Sequence, residues 1–209
     1  MKTKTHTILP LAALAGLAIA TGSADAATTL TGLPTTNAAV PAGHGSNAVG
    51  TPNVTLDWST GGNWDEYANW DGRGDVYQLQ SSSVGSPGRI VLTPDAGFAA
   101  TITSFDLDEW AGGGATTVDW SISGLTSGTL ASGTWDDFSI ADGGRSTVTP
   151  NVTGANGEAL TLSFAQTGGN GDYLALDNLT FDQVTIPEPS SVALLGLGGL
   201  GVLLRRRRN

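Results

Sequence analysis

The chain has 209 residues and contains no cysteine, which excludes disulfides and thiolate metal sites. Between its two terminal segments it carries three arginines and no lysine against 17 acidic residues, so the net charge there is close to −14. Such a surface repels phosphate backbones and argues against nucleic-acid binding, whereas it suits solubility in water or contact with divalent cations.

The first 26 residues contain the three parts of a signal peptide in the right order. Two lysines within the first four residues supply positive charge, residues 8–20 form a short apolar run, and Ala24-Asp25-Ala26 is an Ala-x-Ala cleavage site. A helix over the apolar run would be about 20 Å long, too short for a stable membrane span. We therefore predict a signal helix, export, and removal of residues 1–26 by signal peptidase, with Ala24 and Ala26 as processing residues.

The remaining chain is long enough for one domain with a core of its own. Residues 27–50 are small and polar, and they predict a flexible N-terminal segment with room for one edge strand. Residues 51–186 form the predicted domain, in which short runs of alternating apolar and polar side chains replace any helical periodicity. These runs predict strands at 53–58, 76–80, 89–93, 99–109, 116–125, 128–132, 137–140, 146–149, 158–166 and 173–184.

Residues 63–75 concentrate acidic, amide and aromatic side chains, with four carboxylates, two asparagines and three large aromatic rings. Oxygen ligands suit Ca²⁺, and aromatic rings suit the faces of sugars. We predict that Asp65, Asp71 or Asp75 ligates a structural Ca²⁺, although the spacing does not match that of an EF-hand loop. The alternative is a solvated turn whose tryptophans pack on the domain.

A second acidic patch, Asp106, Asp108 and Glu109, precedes Trp110. Asp106 and Asp108 share the outer face of their predicted strand, because the neighbouring apolar residues face inward. Two carboxylates on one face could ligate a metal or act as a glycosidase pair, which needs an acid in an apolar pocket and a defined separation. The sequence shows neither, so the simpler expectation is a charged face in contact with solvent.

Two predicted strands change phase along their length. Ile102 and Phe105 both belong inside, but an odd number of positions separates them, and the strand at 173–184 has the same break. Since a slip of one residue turns every later side chain to the other face, bulges are expected near Ser104 and near Asp177-Asn178. Short strands with bent edges predict an all-β fold, an antiparallel β-sandwich of jelly-roll type.

The run LALDNLTF also resembles the closing strand of jelly-roll domains with a galactose-binding-like fold, as in carbohydrate-binding modules. In those domains the motif is mostly architectural, so the resemblance implies a fold and no particular ligand. The residues that carry it are Leu174, Leu176, Asp177, Asn178, Leu179 and Phe181.

Residues 187–209 form a separate C-terminal segment. Pro187-Glu188-Pro189 is a stiff, extended break, and residues 192–204 carry only apolar side chains or glycine. A helix over those residues would cover about 20 Å of a hydrocarbon core of about 30 Å, which predicts a short, transient transmembrane anchor. The basic residues after it, which the positive-inside rule keeps on the cytoplasmic side, are Arg205, Arg206, Arg207 and Arg208.

This C-terminal segment resembles the PEP-CTERM sorting signal of Gram-negative bacteria, with its Pro-Glu-Pro tripeptide, Gly/Leu-rich run and terminal arginine cluster. The resemblance implies that an exosortase-type membrane protease recognises Pro187, Glu188 and Pro189 and removes the tail nearby. It also implies a final location at the cell surface or in an extracellular matrix, often that of an exopolysaccharide producer. The alternative is a plain anchor that is never cut.

The sequence therefore predicts an exported, non-catalytic surface or matrix protein with polysaccharide as its candidate ligand. Two alternatives remain open: a small secreted polysaccharide hydrolase that uses the acidic patches, and a purely structural matrix component. Nucleophilic catalysis has little support, since His44 lies in the N-terminal segment that is expected to be loose, and there is no nucleophile elbow. The tryptophans expected to be exposed for sugar contact are Trp64, Trp70 and Trp110.

Overall fold

The structure, a computed structural model, describes residues 26–35, 37–79, 87–109, 117–136, 144–168 and 174–186. The predicted signal helix, the strand at 137–140, Trp110 and the C-terminal segment lie outside these residues.

The described ranges contain thirteen strands, and their only helical element is a 3₁₀ turn at Trp70–Gly72. The strands are β1 Thr28–Leu30, β2 Ala38–Ala39, β3 Val54–Asp57, β4 Trp64–Tyr67, β5 Val76–Leu79, β6 Pro87–Pro94, β7 Phe98–Glu109, β8 Thr117–Gly124, β9 Gly128–Asp136, β10 Ser146–Val148, β11 Val152–Thr153, β12 Leu160–Gly168 and β13 Leu174–Thr185.

These strands form two antiparallel sheets. The large sheet has the order β10-β7-β13-β5-β4-β2, with β1 also paired to β13 and β11 to β7. The small sheet has five strands in the order β3-β6-β12-β8-β9. The prediction of an all-β, antiparallel fold is confirmed.

The core lies between the two sheets. Along β12, Leu160, Leu162 and Phe164 are fully buried while the residues between them are partly exposed, so one face of the small sheet points inward. Phe164 meets Phe105 of the large sheet edge to face, with ring centroids 5.5 Å apart. It contacts Trp64 in the same way at 6.0 Å. The two sheets thus pack face to face as a β-sandwich.

Most strands form where alternation predicts them, and nine of the ten predicted strands have a counterpart among the described ones. The largest difference is β9, which continues to Asp136, four residues beyond its predicted end. β4 and β11 were not predicted, and residues 27–50 contain two strands, β1 and β2, where one edge strand was expected. β4 was missed because Glu66 is buried on the face that also holds Trp64, so a carboxylate occupies an inward position.

The two predicted bulges are confirmed where β7 and β13 pair. Asp177 lies opposite Asp106 and Thr180 lies opposite Ser104, so β13 has one extra residue there. The next residue, Phe181, lies opposite Ile102, so β7 has one extra residue between Ser104 and Ile102. Together the two irregularities restore the inward direction of the apolar side chains.

The N-terminal segment, expected to be flexible, is part of the sandwich. β1 pairs with β13 from Thr28 to Leu30, and β2 pairs with β4. Val40 belongs to the core with 8% of its surface exposed. Pairing with a central strand and burial of an apolar side chain explain why residues 28–30 and 38–40 are ordered despite their small, polar composition.

Candidate functional site

The two tryptophans of residues 63–75 are buried, so the prediction that they are exposed is wrong. Trp64 is 3% exposed, and its indole N–H donates to the Arg89 carbonyl at 3.2 Å. Trp70 is fully buried and meets the Tyr67 ring edge to face at 5.3 Å. The rings pack on the sandwich, as the alternative interpretation of this stretch expected, because burial of so much apolar area outweighs any gain from exposure. Trp110 lies outside the described residues.

The three residues proposed for Ca²⁺ lie on β4 and in the loop that follows it. Asp65 lies on β4 opposite Gln78. Asp75 accepts a hydrogen bond from the backbone N–H of Asn69 at 2.9 Å and so closes the loop around the 3₁₀ turn. Asp71 lies in that turn. Over the described ranges, no group of three or more acidic or histidine side chains is arranged to hold a metal ion, and Ca²⁺ ligation stays a prediction.

The second acidic patch is not a solvent face, which corrects the expectation from its sequence. Asp106, Asp108 and Glu109 are 7%, 0% and 3% exposed. Asp108 accepts from Arg73 at 2.8 Å and from Arg145 at 3.0 Å, which places two guanidinium groups on one carboxylate. Because those arginines are distant in sequence, the pattern around residue 108 gave no sign of them.

This arginine–aspartate cluster continues across the outer face of the large sheet. Arg145 also reaches the Asp177 carboxylate at 2.7 Å. Asp106 accepts from the Thr147 hydroxyl at 2.6 Å and from the Asn178 amide at 2.7 Å. Burial raises the pKa of Asp177 above its usual range. The cluster holds the loops that contain Arg73 and Arg145 against β7 and β13, and its three aspartate carboxylates hydrogen-bond to groups of the protein itself.

His44 is held in place, contrary to the expectation that it is mobile. Its Nε2 lies 2.8 Å from the Tyr77 hydroxyl, and its carbonyl accepts the Trp58 indole N–H at 2.9 Å. The Tyr77 hydroxyl in turn donates to the Thr31 carbonyl. Burial lowers the pKa of His44, which keeps the neutral imidazole in place. The contacts of this histidine tie the N-terminal segment to the core.

A groove of about 370 Å³ lies on the outer face of the small sheet, across β12, β8 and β9. Two rows of outward side chains line it. One row is Ser163, Ser121 and Ser132, which lie opposite one another on the three strands. The other row is Ala165, Asp119 and Thr134. The sequence did not predict this site, because each residue looks like an ordinary outward position until the strand order brings the rows together.

The groove presents one row of serine hydroxyls and one acidic side chain to the solvent. None of the three serine hydroxyls has a hydrogen-bond partner within the described part of the chain. Asp119 is exposed, and its carboxylate accepts the Thr134 hydroxyl at 2.7 Å, which fixes its orientation. Because neighbouring strands are about 4.8 Å apart, the row of hydroxyls offers evenly spaced donors and acceptors across the sheet.

The floor and rim of the groove are also defined. Trp120, between the two rows, packs edge to face on Phe105 at 5.6 Å. Gly133 lies against the Trp120 ring, and a Cβ at that glycine would approach the ring to 2.7 Å. Arg89 is exposed on β6 directly opposite Ser163, and the stem of its side chain lies against Gly61. The arrangement is suited to hydrogen bonding with a hydroxyl-rich ligand.

Comparison with known proteins identifies the C-terminal segment. Residues 185–208 match the PEP-CTERM protein-sorting motif. The match confirms the resemblance seen in the sequence and implies an exported chain that an exosortase-type protease sorts. No curated protein matches the chain. In the portion that the structure describes, no helix has the length and apolar character needed to cross a membrane.

Among solved structures, the chain is similar to β-sandwich carbohydrate-binding modules. It matches a CBM4 structure at 15% identity and TM-score 0.37, over 61% of this chain and 92% of that one. It matches the Family 11 carbohydrate-binding module of Clostridium thermocellum at 11% identity and TM-score 0.33, over 73% and 99%. The CBM22-1–GH10 xylanase of the same organism matches at 13% identity and TM-score 0.40, over 71% of this chain and only 29% of that chain.

At these TM-scores the similarities bear on neither ligand nor activity. Fold and motif together define a class, an exported β-sandwich protein with a C-terminal sorting motif. This chain also has a serine-lined groove on its small sheet and a net negative charge.

Proposed function

We propose that this protein is an exported, non-catalytic component of the cell surface or extracellular matrix, whose sandwich is of jelly-roll type and binds polysaccharide. An exosortase-type protease recognises residues 187–189, after transient membrane anchoring, and signal peptidase removes residues 1–26. The groove on the small sheet carries the binding part of this proposal, and the sorting motif carries the export part.

The groove supports a glycan ligand through its chemistry. Sugars present many hydroxyl groups, each of which can donate and accept, and the hydroxyls of Ser121, Ser132 and Ser163, which have no partner among the described residues, can do the same. Asp119 adds a charged acceptor to the groove, which forms stronger hydrogen bonds than a neutral group does. The strongly negative chain repels polyanions, so a neutral polysaccharide fits better than one rich in carboxylate or sulfate.

The buried cluster supports a non-catalytic role over the hydrolase alternative. A glycosidase needs two carboxylates that reach the scissile bond from either side. Asp108 is fully buried against two guanidinium groups, and Asp106 is occupied by Thr147 and Asn178. Neither carboxylate is open to a substrate.

Substitution in the centre of the groove tests the binding proposal. Ser121→Val keeps a strand-compatible side chain but removes the central hydroxyl and adds a methyl group on the groove floor. We expect the Kd for a bound neutral glycan to rise about tenfold, since a lost hydrogen bond and a steric misfit together cost about 1.4 kcal/mol. The measurement is titration calorimetry of the protein purified from its host against a panel of neutral, anionic and amino-sugar polysaccharides.

The matched control is Thr55→Val. Thr55 is exposed on the same sheet, but it lies on β3 at the opposite edge from the groove. This variant should bind as the unmodified protein does. Equal losses in both variants would contradict the placement of the site, and an unmodified protein that retains none of the glycans would contradict binding while leaving export untouched.

A further inference from the structure

The sorting motif begins inside the folded domain. The motif match starts at residue 185, whereas β13 continues to Thr185. Thr185 is paired with Phe98, and the backbone N–H of Ile186 donates to the Gly97 carbonyl at 2.8 Å. The Pro-Glu-Pro tripeptide follows at once, and its three residues reach at most about 10 Å beyond the sandwich.

The last residues of β13 are held much less firmly than the rest of the strand. At residues 174–176 and 179–181, β13 has partners on both sides, but from Asp182 onward it pairs only with β7 among the described strands. Val184 is 42% exposed, Thr185 is exposed and Ile186 is partly exposed, so their separation from β7 would uncover less apolar surface than separation of fully buried residues such as Phe181. Such an edge segment opens at a small fraction of the global unfolding free energy.

The firm part of the strand ends at Gln183. The Gln183 side chain is 5% exposed, and its amide oxygen Oε1 accepts a hydrogen bond from the backbone N–H of Asn53 at 2.8 Å. Phe181, two residues earlier, is fully buried in the core. If the opening extended from the C-terminal end of β13 back through Gln183 to Phe181, it would break a buried hydrogen bond and expose a core side chain, which is costly.

We propose that residues Val184, Thr185 and Ile186 are shared between the sandwich and the sorting protease, and that they must separate from β7 before the tail is cut. This inference rests on the proposed sorting of the chain. A protease cleft holds substrate on both sides of the bond it cuts, and no free linker stands between the sandwich and the tripeptide. Cleavage breaks one peptide C–N bond beyond Ile186: the carbonyl carbon takes hydroxyl from water and the departing nitrogen takes the proton.

An inserted linker tests the inference in the full chain, expressed in its own host. Gly-Ser-Gly-Ser between Ile186 and Pro187 supplies free residues without touching any paired strand. In a pulse-labelling experiment, the linker variant should lose its tail several-fold faster than the unmodified chain. The mature C-terminus of the unmodified chain, measured by mass spectrometry, should lie at residue 187 or beyond. As a control, the same four residues are inserted between Ser59 and Thr60, in an exposed turn near the first residues of β6. This insertion should leave the rate of tail removal unchanged.

The outcomes separate the inference from the function on which it rests. Equal or slower removal of the tail from the linker variant, or a mature C-terminus upstream of Val184, would contradict the inference that residues 184–186 are shared with the protease. The sorting proposal would not be affected by either result. Tails that remain on both chains overturn the sorting proposal itself, and the inference with it.

Discussion

At the scale of single residues, Glu158 shows how one carboxylate organises a corner of the sandwich. It accepts hydrogen bonds from the backbone N–H and the hydroxyl of both Thr126 and Ser127, and from the Ala155 N–H. It also lies against Gly124, where a Cβ would approach its carboxyl carbon to 2.5 Å. The turn between β8 and β9 is thereby fastened to the loop before β12.

These hydrogen bonds give a pH dependence with a definite sign. The Thr126 hydroxyl, followed by the Ala155 and Ser127 donors, lowers the pKa of Glu158 well below its usual value. A lowered pKa in the folded state means that ionised Glu158 stabilises the fold above the unfolded pKa of about 4.3. This contribution is lost as the pH falls through the lower, folded pKa.

We therefore predict that Glu158→Gln lowers the melting temperature at neutral pH, and that the difference from the unmodified protein shrinks as the pH falls below about 4.3. Calorimetric melting across pH 2.5 to 7 measures it. Asp95→Asn is the control, because Asp95 is exposed and makes no side-chain hydrogen bond in the described ranges. A difference that stays constant over the whole pH range would contradict this account of Glu158.

At the scale of elements, β13 connects the parts of the large sheet. It pairs with β7, β5 and β1 and contributes Leu176, Leu179 and Phe181 to the core. Its bulge places Asn178 in the left-handed region, with φ 49°, and points the amide at Asp106. Asparagine adopts this conformation more readily than most residues with a side chain, which explains its place there.

Two substitutions at this bulge separate backbone from side chain. Asn178→Ala loses the hydrogen bond and places alanine at a positive φ, so we expect a loss of about 2 kcal/mol in the free energy of unfolding. Asn178→Gly loses only the hydrogen bond and should cost about 1 kcal/mol. Urea denaturation measures both, and a glycine variant no more stable than the alanine variant would contradict the role of the left-handed backbone.

Strands and bulges were predictable from sequence where one face is core and the other is solvent. In β8, Val118 and Ile122 face inward between polar neighbours, so the alternation is visible. β4 was not predictable, because its inward Glu66 breaks the pattern. The groove was not predictable either, since Ser121 and Ser163 become neighbours only through the pairing of β8 with β12.

The errors about charged and aromatic residues have a common physical cause. Asp108 was assigned to solvent because its arginine partners lie 35 and 37 positions away in the chain. Trp64 and Trp70 are expected to be exposed because aromatic rings among acidic residues suit a sugar face, whereas the fold buries both. Long-range pairing decides burial in both cases, and a local pattern carries no information about it.

At the scale of the whole molecule, the two outer faces of the sandwich differ. The large sheet has the arginine–aspartate cluster on its outer face, which uses two of the three arginines between the terminal segments. The small sheet leaves its serine rows open in a groove. The strand that leads into the sorting tail ends at the turn that contains Gly97. The proposed ligand site and the proposed sorting segment thus lie in separate parts of one domain.

The intact mass of the protein recovered from outside the cells of its native host tests the central claim most directly. Removal of both terminal segments predicts a chain that begins at Ala27 and ends shortly after Ile186, found in the medium or at the cell surface. A chain of all 209 residues, found only in the cytosol, would contradict export and sorting together.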